Sequence, residues 1–259
     1  MKKTLFLVLC TVVIIAVPCF AQGAEPADEL NAAKTRANEA RVRASDFEPA
    51  YFLPNEWKAA ETLYGNAGAQ NIPALFNASA DVYNAIFEKT IPLFAQSREN
   101  EIMELRGNLI GIGARDAYPN YMVPADRMAV LAFDQYEAQD YYESKNSAAE
   151  ALLMYQALTG ASNAWLVRQE IREKRLEPYA PDGYNNAGET LSEAMDAYDS
   201  GNYSLSEEKS EEATQKYRVV LSDARRNRAT HAIQAAQNKI NESDEIARQA
   251  EIILKGAIK

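Results

Sequence analysis

The sequence predicts an all-α protein: three α-hairpins and a long C-terminal capping helix, following an N-terminal signal segment. Three observations carry this reading. A proline-tyrosine-proline punctuation recurs along the chain, and each copy is followed by apolar residues in helical three- and four-residue steps. No stretch sustains the two-residue alternation of a half-buried strand.

The opening segment Met1–Ala21, MKKTLFLVLCTVVIIAVPCFA, places Lys2 and Lys3 before an apolar run from Leu5 to Val17 and ends in small residues, the pattern of a secretory signal. Cleavage is expected between Ala21 and Gln22. The apolar run from Leu5 to Val17 is short of the roughly 20 residues that span a bilayer. An uncleaved anchor and lipidation of Cys19 stay open as alternatives, although Pro18 stands where lipidation sites carry a small residue. Cleavage leaves Gln22–Lys259 and makes the charge of −10 more negative by two, since Lys2 and Lys3 depart. The remaining chain has no cysteine and one histidine. That excludes a disulfide framework, a cysteine nucleophile, a thiolate metal site and any site needing two histidines from one chain. Such acidity also disfavours general binding of nucleic acid.

An alanine-rich helix is expected over Pro26–Ala44, covering one end of the hairpin array. The punctuation follows as Pro49-Ala50-Tyr51-Phe52-Leu53-Pro54, as Pro119-Asn120-Tyr121-Met122-Val123-Pro124 and, shortened, as Pro178-Tyr179-Ala180-Pro181. Pro54, Pro124 and Pro181 close the three copies, and the first interval is longer than the second. Arginine-bearing helical segments precede each copy: Arg41 and Arg43, Arg106 and Arg115, then Arg168, Arg172 and Arg175. Helices follow each copy, because proline suits a helix start and breaks a helix interior.

The first helices share an aromatic-x2-Ala-x3-apolar-x2-Ala stripe, in Trp57, Ala60, Tyr64 and Ala67 and again in Tyr184, Ala187, Leu191 and Ala194. The second copy reads Ala129, Phe133 and Tyr136 in that rhythm, with Asp126 at the leading position. The second helices carry the triplets Ser79-Tyr83-Ile86, Ala151-Tyr155-Leu158 and Ala213-Tyr217-Val220, whose tyrosines are expected at equivalent buried positions. Polar turns are expected at Glu143–Asn146 and Asp199–Asn202, and hairpins at about residues 47–106, 115–175 and 176–223 of one domain covering 22–259. These stripes resemble tetratricopeptide repeats. They depart in spacing, since Tyr64 to Tyr83 and Leu191 to Tyr217 both exceed the roughly 13 positions that separate the corresponding sites of a tetratricopeptide unit.

From Ser204 onward there is no proline. Ala229, Ile233, Ala236, Ile240, Ser243, Ala247, Ala250, Leu254 and Ala257 form a heptad seam. This predicts a C-terminal helix over about 224–259 that either caps the last hairpin or pairs with a second copy as a homo-oligomer.

Little here points to chemistry. His231 follows Arg225-Arg226-Asn227-Arg228 in a polar stretch and reads as a solvated surface residue. The arginines are expected to offset Glu207-Glu208 and Glu211-Glu212. Gly111 and Gly113 lack the third glycine and the strand-turn-helix setting of a dinucleotide loop, and read as a joint. Asp196, Asp199 and Asn202 do not fit a calcium loop. Glu143-Ser144 and Glu242-Ser243 match the start of the lytic transglycosylase motif without its continuation. No catalytic residue, cofactor or metal ligand is therefore expected. Tyr51, Tyr121 and Tyr179 stand out beside the prolines, either as wedges between hairpins or as the lining of an aromatic groove for a peptide or glycan.

The block Phe47-Glu48-Pro49-Ala50-Tyr51-Phe52, with Pro54, Glu56-Trp57-Lys58-Ala59-Ala60-Glu61 and the signal ending Cys19-Phe20-Ala21-Gln22, resembles the treponemal membrane protein B family of spirochaetal envelope antigens. The resemblance implies an immunogenic, envelope-associated protein at the outer membrane with no catalytic residues. The functional expectation is a non-enzymatic structural or scaffolding protein of the cell envelope, peripheral to the outer membrane, with an envelope protein partner and no nucleic acid. The alternative is a periplasmic binding module serving a transporter or peptidoglycan machinery.

Overall fold

A residue that precedes proline is pushed out of the helical conformation, and this constraint sets where each helix pair begins. In the computed structural model, which describes residues 26–257, Leu53 (φ −133°), Tyr118 (φ −136°) and Ala180 (φ −154°) precede Pro54, Pro119 and Pro181. Each of these prolines opens a helix. Five residues before each extended residue stands a left-handed one: Glu48 (φ 59°), Gly113 (φ 82°) and Arg175 (φ 52°). Every element among the described residues is helical. The elements are α1 (Pro26–Ser45), α2 (Pro49–Phe52), α3 (Pro54–Gln70), α4 (Pro73–Gly111), α5 (Ala114–Ala117), α6 (Pro119–Glu137), α7 (Tyr141–Glu173), a 3₁₀ turn (Glu177–Tyr179), α8 (Pro181–Asp199) and α9 (Tyr203–Ala257). Cys19, Ala21 and Gln22 lie outside the described residues.

Pro54, Pro119 and Pro181 are spaced almost evenly along the chain. This corrects the expected register, which matched Pro54 with Pro124. Pro124 lies inside α6, where it removes one helix hydrogen bond without opening a helix. The correction moves the buried stripe of α6 to Met122, Ala125, Ala129 and Ala132, while Phe133 is 37% exposed. The expected turn at Glu143–Asn146 is likewise interior to α7. The chain instead turns at Ala138–Asp140, where the Asp140 N–H donates to the Gln135 carbonyl at 2.9 Å. Ser200–Asn202 makes the same turn through Asn202 N–H to the Ala197 carbonyl, also 2.9 Å, as the sequence predicts.

The chain divides into two compact units, Met1–Thr90 and Ile91–Lys259. In the first, Ala33, Ala37, Ala40 and Ala44 of α1 are buried against Ala60 and Ala67 of α3 and Phe76, Ala80 and Tyr83 of α4. Alanine at these steps lets the helices approach closely while the aromatic rings fill the intervening space. In the second unit α7 packs against both α6 and α9, and α8 lies against α9. Ile102 and Leu109 of α4 join one core cluster with Met122 and Tyr155; Ile171, Leu176, Leu191 and Tyr217 anchor another. Tyr83, Tyr155 and Tyr217 are all 0% exposed, in line with the expectation that they are buried.

The C-terminal helix does not fold back as a cap. It is the uninterrupted continuation of the helix that pairs with α8, and from Arg228 to Lys255 every described side chain is exposed. Ile233, Ile240 and Leu254 of the seam are 71%, 53% and 63% exposed. Heptad spacing reports a sticky face but not where its partner lies, and the 55-residue helix has no turn that would bring it back.

Gln139 (φ 66°) and Gly201 (φ 77°) occupy the same left-handed position in the two Asp140- and Asn202-closed turns. Gln139→Gly is expected to stabilise the protein by about 1 kcal/mol and Gly201→Ala to destabilise it by a similar amount. Urea denaturation followed by circular dichroism measures both.

Candidate functional site

A tyrosine buried in a helical interface needs a partner for its hydroxyl, and Tyr83 and Tyr155 find the same kind. Glu61 of α3 accepts two hydrogen bonds from Arg41 of α1, Nε to Oε1 at 2.7 Å and Nη2 to Oε2 at 2.9 Å. The Tyr83 hydroxyl of α4 donates to the same Oε1 at 2.7 Å. In the second unit Asp126 of α6 takes the role of Glu61. Arg106 of α4 donates to its Oδ1 and Oδ2 at 2.7 and 3.1 Å, and the Tyr155 hydroxyl of α7 donates to Oδ1 at 2.7 Å. Each latch ties three helices through one carboxylate.

The electrostatics follow from this geometry. The Arg41 hydrogen bond holds Glu61 below the usual carboxylate range, against opposition from burial and with help from Tyr83. Burial works against ionisation of Asp126 too, but the hydrogen bonds from Arg106 and Tyr155 outweigh it. Burial, then the bond to the carboxylate, pushes Tyr83 and Tyr155 above an ordinary phenol. Sequence reasoning found the arginines and tyrosines but missed the acids. The available signal was the 20-residue step from Arg41 to Glu61 and from Arg106 to Asp126.

The same step from Arg168 of α7 reaches Gly188 of α8. Here the latch has no carboxylate. Arg168 donates through Nε to the Tyr184 hydroxyl at 3.3 Å and makes no ion pair among the described residues. The Tyr217 hydroxyl is buried and has no hydrogen-bond partner among the described residues. A Cβ built on Gly188 would lie 3.5 Å from that hydroxyl and meet nothing else within 4 Å.

A groove of about 620 Å³ runs along α7 and α9, lined by Gln156, Thr159 and Asn163 on one side and by Glu207, Glu208 and Glu211 on the other. Its floor depends on a close approach of the two helices: a Cβ on Gly160 would come within 2.8 Å of the Ser210 Cβ. Glu212, also in the lining, is bridged by Lys209 and Lys216 at 2.9 and 2.8 Å, and their hydrogen bonds pull its carboxyl down to about 2. Glu207, Glu208 and Glu211 make no ion pair among the described residues. The expected offset by the arginine run does not occur. Arg225 pairs with Glu170, Arg226 with Asp223, and Arg228 donates to the Lys174 carbonyl. Those arginines lie too far along α9, and Arg225 and Arg228 clamp the end of α7 instead.

Tyr51, Tyr121 and Tyr179 do not occupy matching places. Tyr51 is 75% exposed on α2, its ring edge-on to Phe52 at 4.9 Å. Tyr121 packs against Tyr118 and Tyr198 and donates to Asp199 at 3.3 Å. Tyr179 packs edge-on against His231 at 5.5 Å, and its carbonyl accepts from Asn227 at 2.7 Å. His231 is exposed. Among the described residues no group of three or more His, Cys, Asp or Glu side chains could hold a metal ion. No protein-family model, curated protein or solved structure matches this chain. The likeness to spirochaetal envelope antigens therefore rests on the residues quoted for it alone.

The latches make the fold acid-sensitive. Because Glu61 and Asp126 are depressed in the fold from their ordinary 4.5 and 3.8, their stabilisation is complete above those values. It is lost as the pH falls below them through the depressed ones. Thermal melts from pH 6 to pH 2 are expected to show a shallower loss in Glu61→Gln/Asp126→Asn than in the wild type. Parallel curves would remove the latches from the acid response.

Proposed function

We propose that this chain is a non-enzymatic scaffolding protein of the bacterial cell envelope, built from three tetratricopeptide-like hairpins, that holds a partner in the groove between α7 and α9. One observation carries the reading: the groove presents Glu207, Glu208 and Glu211, which make no ion pair among the described residues and outnumber the one arginine in its lining, Arg218, above a floor fixed by helix packing. Such a surface favours a polypeptide segment that supplies lysine or arginine. The same groove supports the second reading, a periplasmic module with one stoichiometric partner in a transporter or in peptidoglycan machinery.

Placement in the envelope rests on the signal pattern ending at Ala21 and on the resemblance to envelope antigens. No described helix is long and apolar enough to cross a membrane, and the acidic chain repels anionic headgroups. In this reading outer-membrane association is peripheral and runs through a protein. The exposed seam at Ile233, Ile240 and Leu254 offers a second copy a coiled-coil contact.

Charge reversal tests the groove. Glu207→Lys/Glu208→Lys/Glu211→Lys is expected to keep the helical circular dichroism spectrum and to lose, by tenfold or more, the proteins that wild type recovers from detergent-solubilised envelope. Unchanged recovery by the folded variant overturns the groove as the contact surface.

A further inference from the structure

The cluster around Gly188 carries the donors of a latch and lacks its acceptor. Arg168 and Tyr184 stand at the positions of Arg41 and Trp57 in the first latch, offset by the same interval that separates Pro181 from Pro54, and Tyr217 takes the part of Tyr83 seven residues beyond that interval. There the shared acceptor is a carboxylate only about one-third exposed, so it meets the buried tyrosine from the protein surface. In the third cluster nothing projects from position 188. The Tyr217 hydroxyl forfeits the hydrogen bond that a buried polar group ordinarily makes.

Arg168 is worse provided. Its guanidinium lies among Tyr184, Tyr217 and Tyr118, with its carbon 6.0 Å from the Tyr184 ring centre. It has one long, neutral hydrogen bond in place of the bidentate ionic pair of Arg41 and Arg106. A partly buried guanidinium without a counter-charge favours a planar anion that takes two parallel N–H bonds, and a carboxylate fits that fork. The room for it is the space the missing side chain would fill: a Cβ at 188 meets only the Tyr217 hydroxyl.

We propose that Arg168 and Tyr217, beside Gly188, form a binding site for a carboxylate that α8 itself does not supply. Arg168 donates two N–H groups to its oxygens and Tyr217 donates its hydroxyl to one of them, reproducing the bonds made to Glu61. The carboxylate comes either from a small monocarboxylic acid or from an aspartate or glutamate side chain of a bound polypeptide.

Thermal melts of the full chain in sodium formate, sodium acetate and sodium chloride at matched ionic strength test this. Wild type is expected to gain about 2–4 °C, saturating, in formate or acetate over chloride. Gly188→Glu supplies the carboxylate within the chain and is expected to abolish the gain. Gly188→Ala raises helix propensity alone and is expected to retain it. Tyr217→Phe, which keeps the ring, is expected to weaken it. An arm with acetyl-Gly-Glu-Gly-amide against its Gln counterpart separates the sources. A response to the salts alone assigns a small acid; a response to the Glu peptide as well, but not the Gln peptide, assigns a polypeptide side chain. Equal shifts in wild type and Gly188→Glu, or none in wild type with any probe, overturn the proposal.

Discussion

One carboxylate shared between an arginine and a buried phenol is the interaction on which the helix pairs depend. The pair Arg41–Glu61 alone would contribute little, since its side chains are 39% and 33% exposed and water screens them. Its value lies in what the carboxylate does for Tyr83, which is 0% exposed and would otherwise bury an unpartnered hydroxyl. Because the arginine, the acid and the tyrosine come from three different helices, satisfying the phenol fixes how those helices meet. Asp126 does the same for Tyr155 with a side chain one methylene shorter.

The long helices follow from this arrangement. The early part of α4 supplies Tyr83 to one latch, and its later part supplies Arg106 to the next. In the same way α7 gives Tyr155 and then Arg168. Helix α1 supplies only an arginine. Helix α9 supplies only a tyrosine, and its later half presents exposed isoleucines.

Much of this was legible in the sequence. Prolines mark helix starts because of their chemistry, and the small-tyrosine-aliphatic triplets mark a buried face because side chains three and four apart share it. The register of the second copy was not legible: Pro119 and Pro124 both suit an early helix position, and only the extended backbone of Tyr118 decides between them. That ambiguity placed Asp126 at an aromatic position and concealed its role. Acids are also abundant, 37 in the chain, so a latch carboxylate carries no compositional mark. The groove was hidden for a different reason. Glu207 to Glu211 read as charges balanced by nearby arginines, and only the helix geometry sends Arg225 to Glu170 instead.

A double-mutant cycle on the second latch tests the shared carboxylate most directly. Asp126→Ala, Tyr155→Phe and the double variant would be compared with wild type by urea denaturation at pH 7. A coupling of about 1 kcal/mol or more between the two positions is expected, because each substitution alone removes a hydrogen bond the other group still needs. Additive losses would show that the carboxylate and the buried phenol act independently, and the latch would no longer account for the arrangement of these helices.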